Sequence, residues 1–165
     1  TYRRKPRPAL AYHPQGKSQP RAYEAPRANT QTRLTAVLNG LTGQVNYLQR
    51  YRIGTEALVL FYTQVRAAYP AAERIYLVQD NWPVHLLPEV LAALQANHLT
   101  PLFLPTYASW LNPIEKLWRW LRQDVLHLHR FAHDLATLRQ LVTQFLDQFA
   151  TGSERLLRYV GLLSE

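Results

Sequence analysis

Two short apolar runs with a helical stretch between them constrain this chain most. Residues 74–79 read Arg-Ile-Tyr-Leu-Val-Gln, a compact β-branched and aromatic run, and residues 100–104 form a second run that Pro105 stops. Between them, residues 88–96 begin with Pro and continue as an Ala- and Leu-rich pattern. Apolar runs of this length bounded by turn residues read as buried strands, and Pro is at home in the first turn of a helix. Strands alternating with helices predict an α/β layer fold with some parallel pairing. In such sheets the chemistry gathers at the carboxyl ends of central strands. Asp80 stands directly after the first run.

The remaining pattern fits that frame. Residues 34–38 and 45–47 flank Gly40-Leu41-Thr42-Gly43 and read as a β-hairpin. Residues 55–68 place Leu58, Phe61, Tyr62 and Val65 at helical spacing, and Tyr69-Pro70 ends that helix. A third helix is expected from Asn112 to about His127, and residues 134–149 and 153–163 read as amphipathic helices. With no Cys, the chain has no disulfide framework, no thiol nucleophile and no thiolate zinc site. A hydrophobic content of 47% marks a globular chain, and no apolar stretch approaches the length of a membrane span.

Charge points to a partner. Lys and Arg number 19 against 11 Asp and Glu, for a net charge of +8, and sixteen of the 19 are Arg. Arg grips phosphate bidentately and stacks on flat bases, so this balance suggests a nucleic-acid partner, or equally a basic protein from an Arg-rich proteome. Residues 1–33 hold Arg3, Arg4, Lys5, Arg7, Lys17, Arg21, Arg27 and Arg33 against the single acid Glu24, together with five prolines. That segment reads as a basic arm along a phosphate backbone, or as an ordinary solvated stretch with a few edge strands. There is no Met, not even at position 1, so Thr1 is expected to be a processed end, a cloning boundary or the start of a fragment.

Two acids stand out. Asp80, followed by Asn81 and then His85, offers oxygen ligands to a hard cation, or else caps a turn. Glu115 follows Asn112-Pro113-Ile114, where Asn112 would be the N-cap and Glu115 would reach back to the Asn112 amide as a capping box. Equally, Glu115 could complete a metal site with Asp80. Leu111, Ile114, Trp118, Leu121 and Val125 form the expected apolar stripe, with Glu115, Arg119 and Arg122 beside it. That trio suits phosphate, or a surface ion pair worth at most about 1 kcal/mol.

Taken together the two segments are far more specific. The first reads Val78-Gln79-Asp80-Asn81-Trp82-Pro83-Val84-His85, and the second contains Leu104, Pro105, Tyr107, Leu111, Asn112, Pro113, Ile114, Glu115 and Trp118. The chain resembles the catalytic domain of bacterial insertion-sequence transposases related to the mariner elements, within the Asp-Asp-Glu (DDE) superfamily. The family's second acid lies in a hydrophobic-Asp-Asn-x-x-x-His motif, and its third in Leu-Pro-x-Tyr-Ser-Pro-x-Leu-Asn-Pro-Ile-Glu followed by Trp. Ala108-Ser109 replace the usual Ser-Pro, and thirty-four residues separate Asp80 from Glu115.

The resemblance implies an RNase H-like (retroviral-integrase-like) mixed sheet flanked by helices, with C-terminal helices after it. Residues 1–127 would be the catalytic domain, lacking most of its first strand, and residues 128–165 a helical extension. Asp80 and Glu115 would be catalytic and would hold metal, two Mg²⁺ ions or Mn²⁺, with Asn81, His85 and Asn112 supporting the site. Arg3, Arg4, Lys5, Arg7, Lys116, Arg119 and Arg122 would contact double-stranded DNA, at element ends and target. The reaction would be strand cleavage followed by joining, in a homo-oligomer on DNA, in the bacterial cytoplasm at the nucleoid. The family's first Asp precedes a basic segment like Thr1-Tyr2-Arg3-Arg4, and no acid occurs here before Glu24, so the polypeptide alone is expected to be inactive or very weak. The competing expectations are an inactive DNA-binding remnant of a broken element and another RNase H-like nuclease, the latter disfavoured by the Asn-Pro-Ile-Glu segment. Trp82, Trp118 and Trp120 are expected to pack in the core or loops, with base stacking a minor option for Trp110. His127, His129 and His133 are expected to form a solvated or helix-ending cluster and not a metal site.

Overall fold

The computed structural model describes residues 1–6 and 30–164. Arg7, with Lys17, Arg21, Glu24 and Arg27 of the expected arm, lies outside the described residues. Strands β1 (Tyr2–Arg3), β2 (Gln31–Leu38) and β3 (Val45–Arg50) form an antiparallel sheet in the order β1-β2-β3. Tyr2 lies opposite Thr32, and Leu38 opposite Val45. The hairpin closes because the Asn39 side-chain oxygen accepts from the Leu41 and Thr42 amides at 2.9 and 3.2 Å, a task for which short polar side chains are suited.

Helix α1 (Thr55–Ala68) buries Leu58, Phe61, Tyr62 and Val65, the four residues that its spacing had placed on one face. Then come β4 (Ile75–Gln79), a 3₁₀ turn, α2 (Pro88–Ala96) and β5 (Leu99–Phe103), with β4 and β5 paired in parallel from Ile75 opposite Leu99 to Gln79 opposite Phe103. Helix α3 (Ile114–Leu121) widens into a π turn over Arg122–Leu126 and stops at His127. Two helices close the chain, α4 (Leu135–Asp147), capped by the Asp134 carboxylate, and α5 (Glu154–Val160), capped by the Ser153 hydroxyl.

Two apolar clusters result. One joins β1–β3 to α3, α4 and α5, with Leu138, Val142, Leu146 and Leu156 fully buried around Trp120. The other packs α1 and α2 on β4 and β5. Two expectations change. The run at residues 75–79 is buried on one face only: Leu77 and Gln79 are enclosed, whereas Tyr76 and Val78 are 58% and 45% exposed. The helices covering this pair lie on one side of it, so its composition resembles that of a doubly covered strand while its second face is open. In α3 the buried face is Ile114, Leu117, Trp120 and Leu121, Leu111 is exposed, and Trp118 stands at the margin.

The hairpin tip and the turn between α4 and α5 are locked together. The Ser153 amide donates to the Thr42 carbonyl at 2.8 Å. Gly43 has φ of +72°, and a Cβ there would lie 2.3 Å from the Ser153 carbonyl oxygen; at Gly152, φ +102°, it would lie 2.7 Å from the Thr42 oxygen. Both positions require glycine for its backbone freedom and for the close approach.

Candidate active site

Asp80 follows directly on the carboxyl end of β4, whose last residue, Gln79, accepts from the Leu104 amide at 2.9 Å. Its Oδ1 accepts from the Trp82 amide at 3.2 Å and lies 3.6 Å from the His85 Nδ1. Asn81 ties the strand end to the next segment by donating from Nδ2 to the Leu104 carbonyl at 2.7 Å. His85 packs edge-on against Trp82, with ring centroids 5.4 Å apart. Burial pulls the His85 pKa below its ordinary value, against the opposing pull of the Asp80 charge. The ring is therefore neutral near pH 7 and its Nδ1 has no hydrogen-bond partner within the described residues.

Glu115 sits in the first turn of α3. The capping-box alternative is not what forms. The Asn112 amide donates to the Ser109 carbonyl at 3.0 Å, and Asn112 itself turns its Oδ1 to the Ile114 amide at 3.3 Å. Among the described residues, Glu115 makes neither that capping bond nor an ion pair with Arg119. Its exposed carboxylate instead lines a groove that it shares with Asp80 and His85.

That groove consists of two adjoining hollows, each about 460 Å³. One wall is the edge of β2, the other the edge of β4, and α1 and α3 supply floor and roof through Phe61, Tyr62 and Trp118. Arg33 and Arg122 line the second hollow together with both acids. Burial pushes the Tyr62 hydroxyl up to about 12, so it stays protonated and donates to the Gln79 side chain at 3.4 Å.

Of the expected cations, then, Arg122 lines the groove and Lys116 does not. Lys116 donates from Nζ to the Val160 carbonyl at 2.9 Å, where a cation stabilises the carboxyl end of α5. Arg3, Lys5 and Arg119 are exposed and Arg4 half-buried, none of them among the groove-lining residues. Arg33 is the residue that sequence reasoning missed as part of the site. Its signal was alternation: it precedes a run whose even-numbered members are the apolar ones. Of the three histidines, His127 ends its helix and His133 is exposed as expected, and only His129 is corrected. His129 is buried, stacked on Phe131, with its Nδ1 accepting from the Phe131 amide at 3.2 Å. Trp110 is 74% exposed, and Trp120 is the ring on which Phe145, Phe149, Tyr159 and the Arg155 guanidinium converge.

Comparison with known proteins fits this geometry. Residues 2–139 match the family described as DDE superfamily endonuclease. The chain belongs to that superfamily. An uncharacterized 39 kDa protein of insertion element IS630 from Shigella sonnei is 26% identical over 106 residues, which is 64% of this chain and 31% of that protein. Two solved structures share the fold, which is RNase H-like: the Mos1 mariner paired-end complex with Mn (TM-score 0.62) and the Mos1 transposase paired-end complex with left transposon end (TM-score 0.65). Each is 18% identical and aligns with 95% of this chain, which spans 48% and 47% of those chains. DDE transposases use divalent metals, and the exposed carboxylates of Asp80 and Glu115 are hard oxygen donors on one groove, the chemistry that Mg²⁺ or Mn²⁺ favours. No cluster of three acidic, His or Cys side chains that could hold a metal ion occurs among the described residues. None of the described helices is long and apolar enough to cross a membrane.

Proposed function

We propose that this chain carries the metal-dependent DNA strand-cleavage and strand-transfer site of an insertion-sequence transposase. The observation that supports it most is the shared groove, with Asp80 from the end of β4 and Glu115 from the start of α3 on its rim. Asp80 and Glu115 would hold the divalent ions, Mg²⁺ or Mn²⁺. When bound, such ions lower the pKa of an attacking hydroxyl and stabilise the leaving oxygen of a phosphodiester. Asn81 fixes the strand end, the Trp82 amide holds the Asp80 carboxylate, and neutral His85 stands beside it against the Trp82 ring. Arg122 and Arg33 offer guanidiniums to phosphate oxygens on the same groove, where bidentate geometry positions the backbone. Arg3, Arg4, Lys5, Arg7 and Arg119 would extend that contact to double-stranded DNA, at element ends and target, within a homo-oligomer. Residues 1–127 would carry the chemistry and residues 128–165 the helical extension, at work in the bacterial cytoplasm.

Metal binding tests the site without requiring turnover. Mn²⁺ added to the chain is expected to broaden the amide signals of residues around Asp80 and Glu115, and to lose that effect in Asp80→Asn and in Glu115→Gln. Absence of site-selective broadening at millimolar Mn²⁺ overturns the reading. Nicking of supercoiled DNA is expected to be absent or very slow in this chain, and a rate matching an intact transposase, abolished by Asp80→Asn, would overturn that part.

A further inference from the structure

The β2–β3 ladder ends on two like charges. Arg33 lies directly opposite Arg50, and opposed residues share one face of the sheet, with Cβ atoms about 5 Å apart. Facing cations in that position repel and destabilise the pair unless an anion joins them. Among the described residues no carboxylate forms an ion pair with Arg33, Arg50 or Arg139. The carboxylates at the two ends of α4 are engaged elsewhere: Asp134 accepts from the Thr137 amide and hydroxyl, and Asp147 from the Tyr47 hydroxyl at 2.7 Å. The two arginines open onto different hollows. Arg33 lines the one that holds Asp80 and Glu115. Arg50 lines another, of about 430 Å³, whose walls include Arg139, Gln140 and Thr143 of α4. Gln49 builds this second hollow, accepting from the Tyr2 hydroxyl at 2.6 Å and donating to the Thr143 hydroxyl at 2.7 Å, which ties β3 to α4. Arg139 is held across it, its guanidinium carbon over the Tyr51 ring at 5.0 Å from the centroid. A guanidinium laid on an aromatic face keeps its N–H donors, which lie in its own plane, free for a phosphate.

We infer that Arg33, Arg50 and Arg139 form a phosphate track, along which the backbone of duplex DNA leaves the groove of Asp80 and Glu115 and passes the β3 edge to α4. The inference rests on the reading of that groove as a strand-cleavage site and adds where the flank of its substrate lies. A small anion satisfies one hollow. A polyanion reaches both, and duplex DNA carries one charge per ~1.7 Å of its axis, dense enough to meet cations spaced by neighbouring strands. A phosphate set between Arg33 and Arg50 relieves their mutual repulsion, so part of the cost carried by the free protein is returned on binding. The cross-strand pair joins the two hollows, since its first member belongs to the groove of the acids and its second to the β3 edge. Guanidinium contacts to phosphate carry no sequence information, so the track holds the duplex in register without selecting its sequence.

Binding of a labelled duplex across a salt series tests it, with metal left out so that turnover plays no part. For the unaltered chain, log K is expected to fall linearly with log salt, by about 0.9 for each phosphate held. Arg50→Gln combined with Arg139→Gln is expected to reduce that slope by about 1.8 and to weaken binding more than about tenfold near 0.1 M salt. Arg74→Gln combined with Arg158→Gln removes the same charge outside both hollows and is expected to leave the slope unchanged. Arg50→Lys combined with Arg139→Lys keeps the charge and is expected to restore the slope. The urea midpoint reports whether each variant is folded. If the glutamine pair lowers it, the Arg50 and Arg139 Nε–H signals of the unaltered chain decide instead, and they are expected to shift when the duplex is added. A slope equal to that of the control pair, with binding still weakened by Arg33→Gln and Arg122→Gln, overturns the track and spares the reading of the groove. Absence of salt-dependent binding by the unaltered chain overturns both. Displacement of the duplex by inorganic phosphate at matched ionic strength assigns the second hollow to a free anion. A salt-sensitive dimer lost in the glutamine pair, with the DNA slope unchanged, assigns it to a second copy of the chain. Either result overturns the track.

Discussion

The half of the molecule built on β1–β3 and the half built on β4–β5 solve the same problem to different degrees. Around Trp120, helices α3, α4 and α5 close over one face of the antiparallel sheet, and Leu138, Val142, Leu146 and Leu156 are wholly excluded from water. Around Phe61, helices α1 and α2 close over one face of the parallel pair, but Tyr76, Val78, Leu102 and Phe103 remain between 38% and 58% exposed on the rest of it. Both halves have enough apolar side chains. What differs is the number of layers available to cover them. The acids gather in the groove at the seam between the halves, and a binding surface needs such an incompletely covered place.

The contrast can be broken most forcefully in the closed half. Leu146→Ala is expected to destabilise the chain by about 2–5 kcal/mol, because a buried leucine leaves both lost contacts and a cavity. A shift in urea midpoint at unchanged slope measures it. Gly43→Ala is expected to cost about 1–3 kcal/mol in the same assay, from a left-handed backbone and a methyl group driven into the Ser153 carbonyl.

A pH test sharpens the comparison further. Burial holds the His129 pKa below its ordinary value of 6.5, against an opposing backbone contact from Arg3. Protonation therefore favours the unfolded chain. The stability that the neutral ring contributes is present above pH 6.5 and is lost as pH falls through the lower folded value. The stability difference between about pH 7.5 and pH 5 is expected to shrink in His129→Asn, which keeps an acceptor but does not titrate, with the remainder coming from His85. The smallest effect belongs to the open half. Val78→Thr is expected to change stability by less than about 0.5 kcal/mol, since its side chain is already half in water.

Much of this was legible in the residues. The helix over 55–68 and the parallel pair around residues 75–79 and 99–103 follow from spacing and punctuation, and Asp80 and Glu115 follow from motif context. What was not legible depends on distant partners. Nothing local in Lys116 says that its ammonium will cap α5 forty-four residues on. Nothing local in His129 says that it will be enclosed beside the β1 backbone, and its run of neighbouring histidines argues for solvent. The β4 run reads as doubly buried because composition records what a strand can bury, while only the tertiary structure decides how many layers arrive to bury it.

The joint between the hairpin tip and the α4–α5 turn has a consequence for how this molecule tolerates change. Surface turns are ordinarily where chains accept extra residues. Here two turns more than a hundred residues apart in sequence are the two halves of one fastening, with Gly43 against Ser153 and Gly152 against Thr42. An insertion in either one prises open both. The permissive positions for a tag or a grafted loop must be sought elsewhere, and the terminal helices and the hairpin are bound to vary as a matched pair.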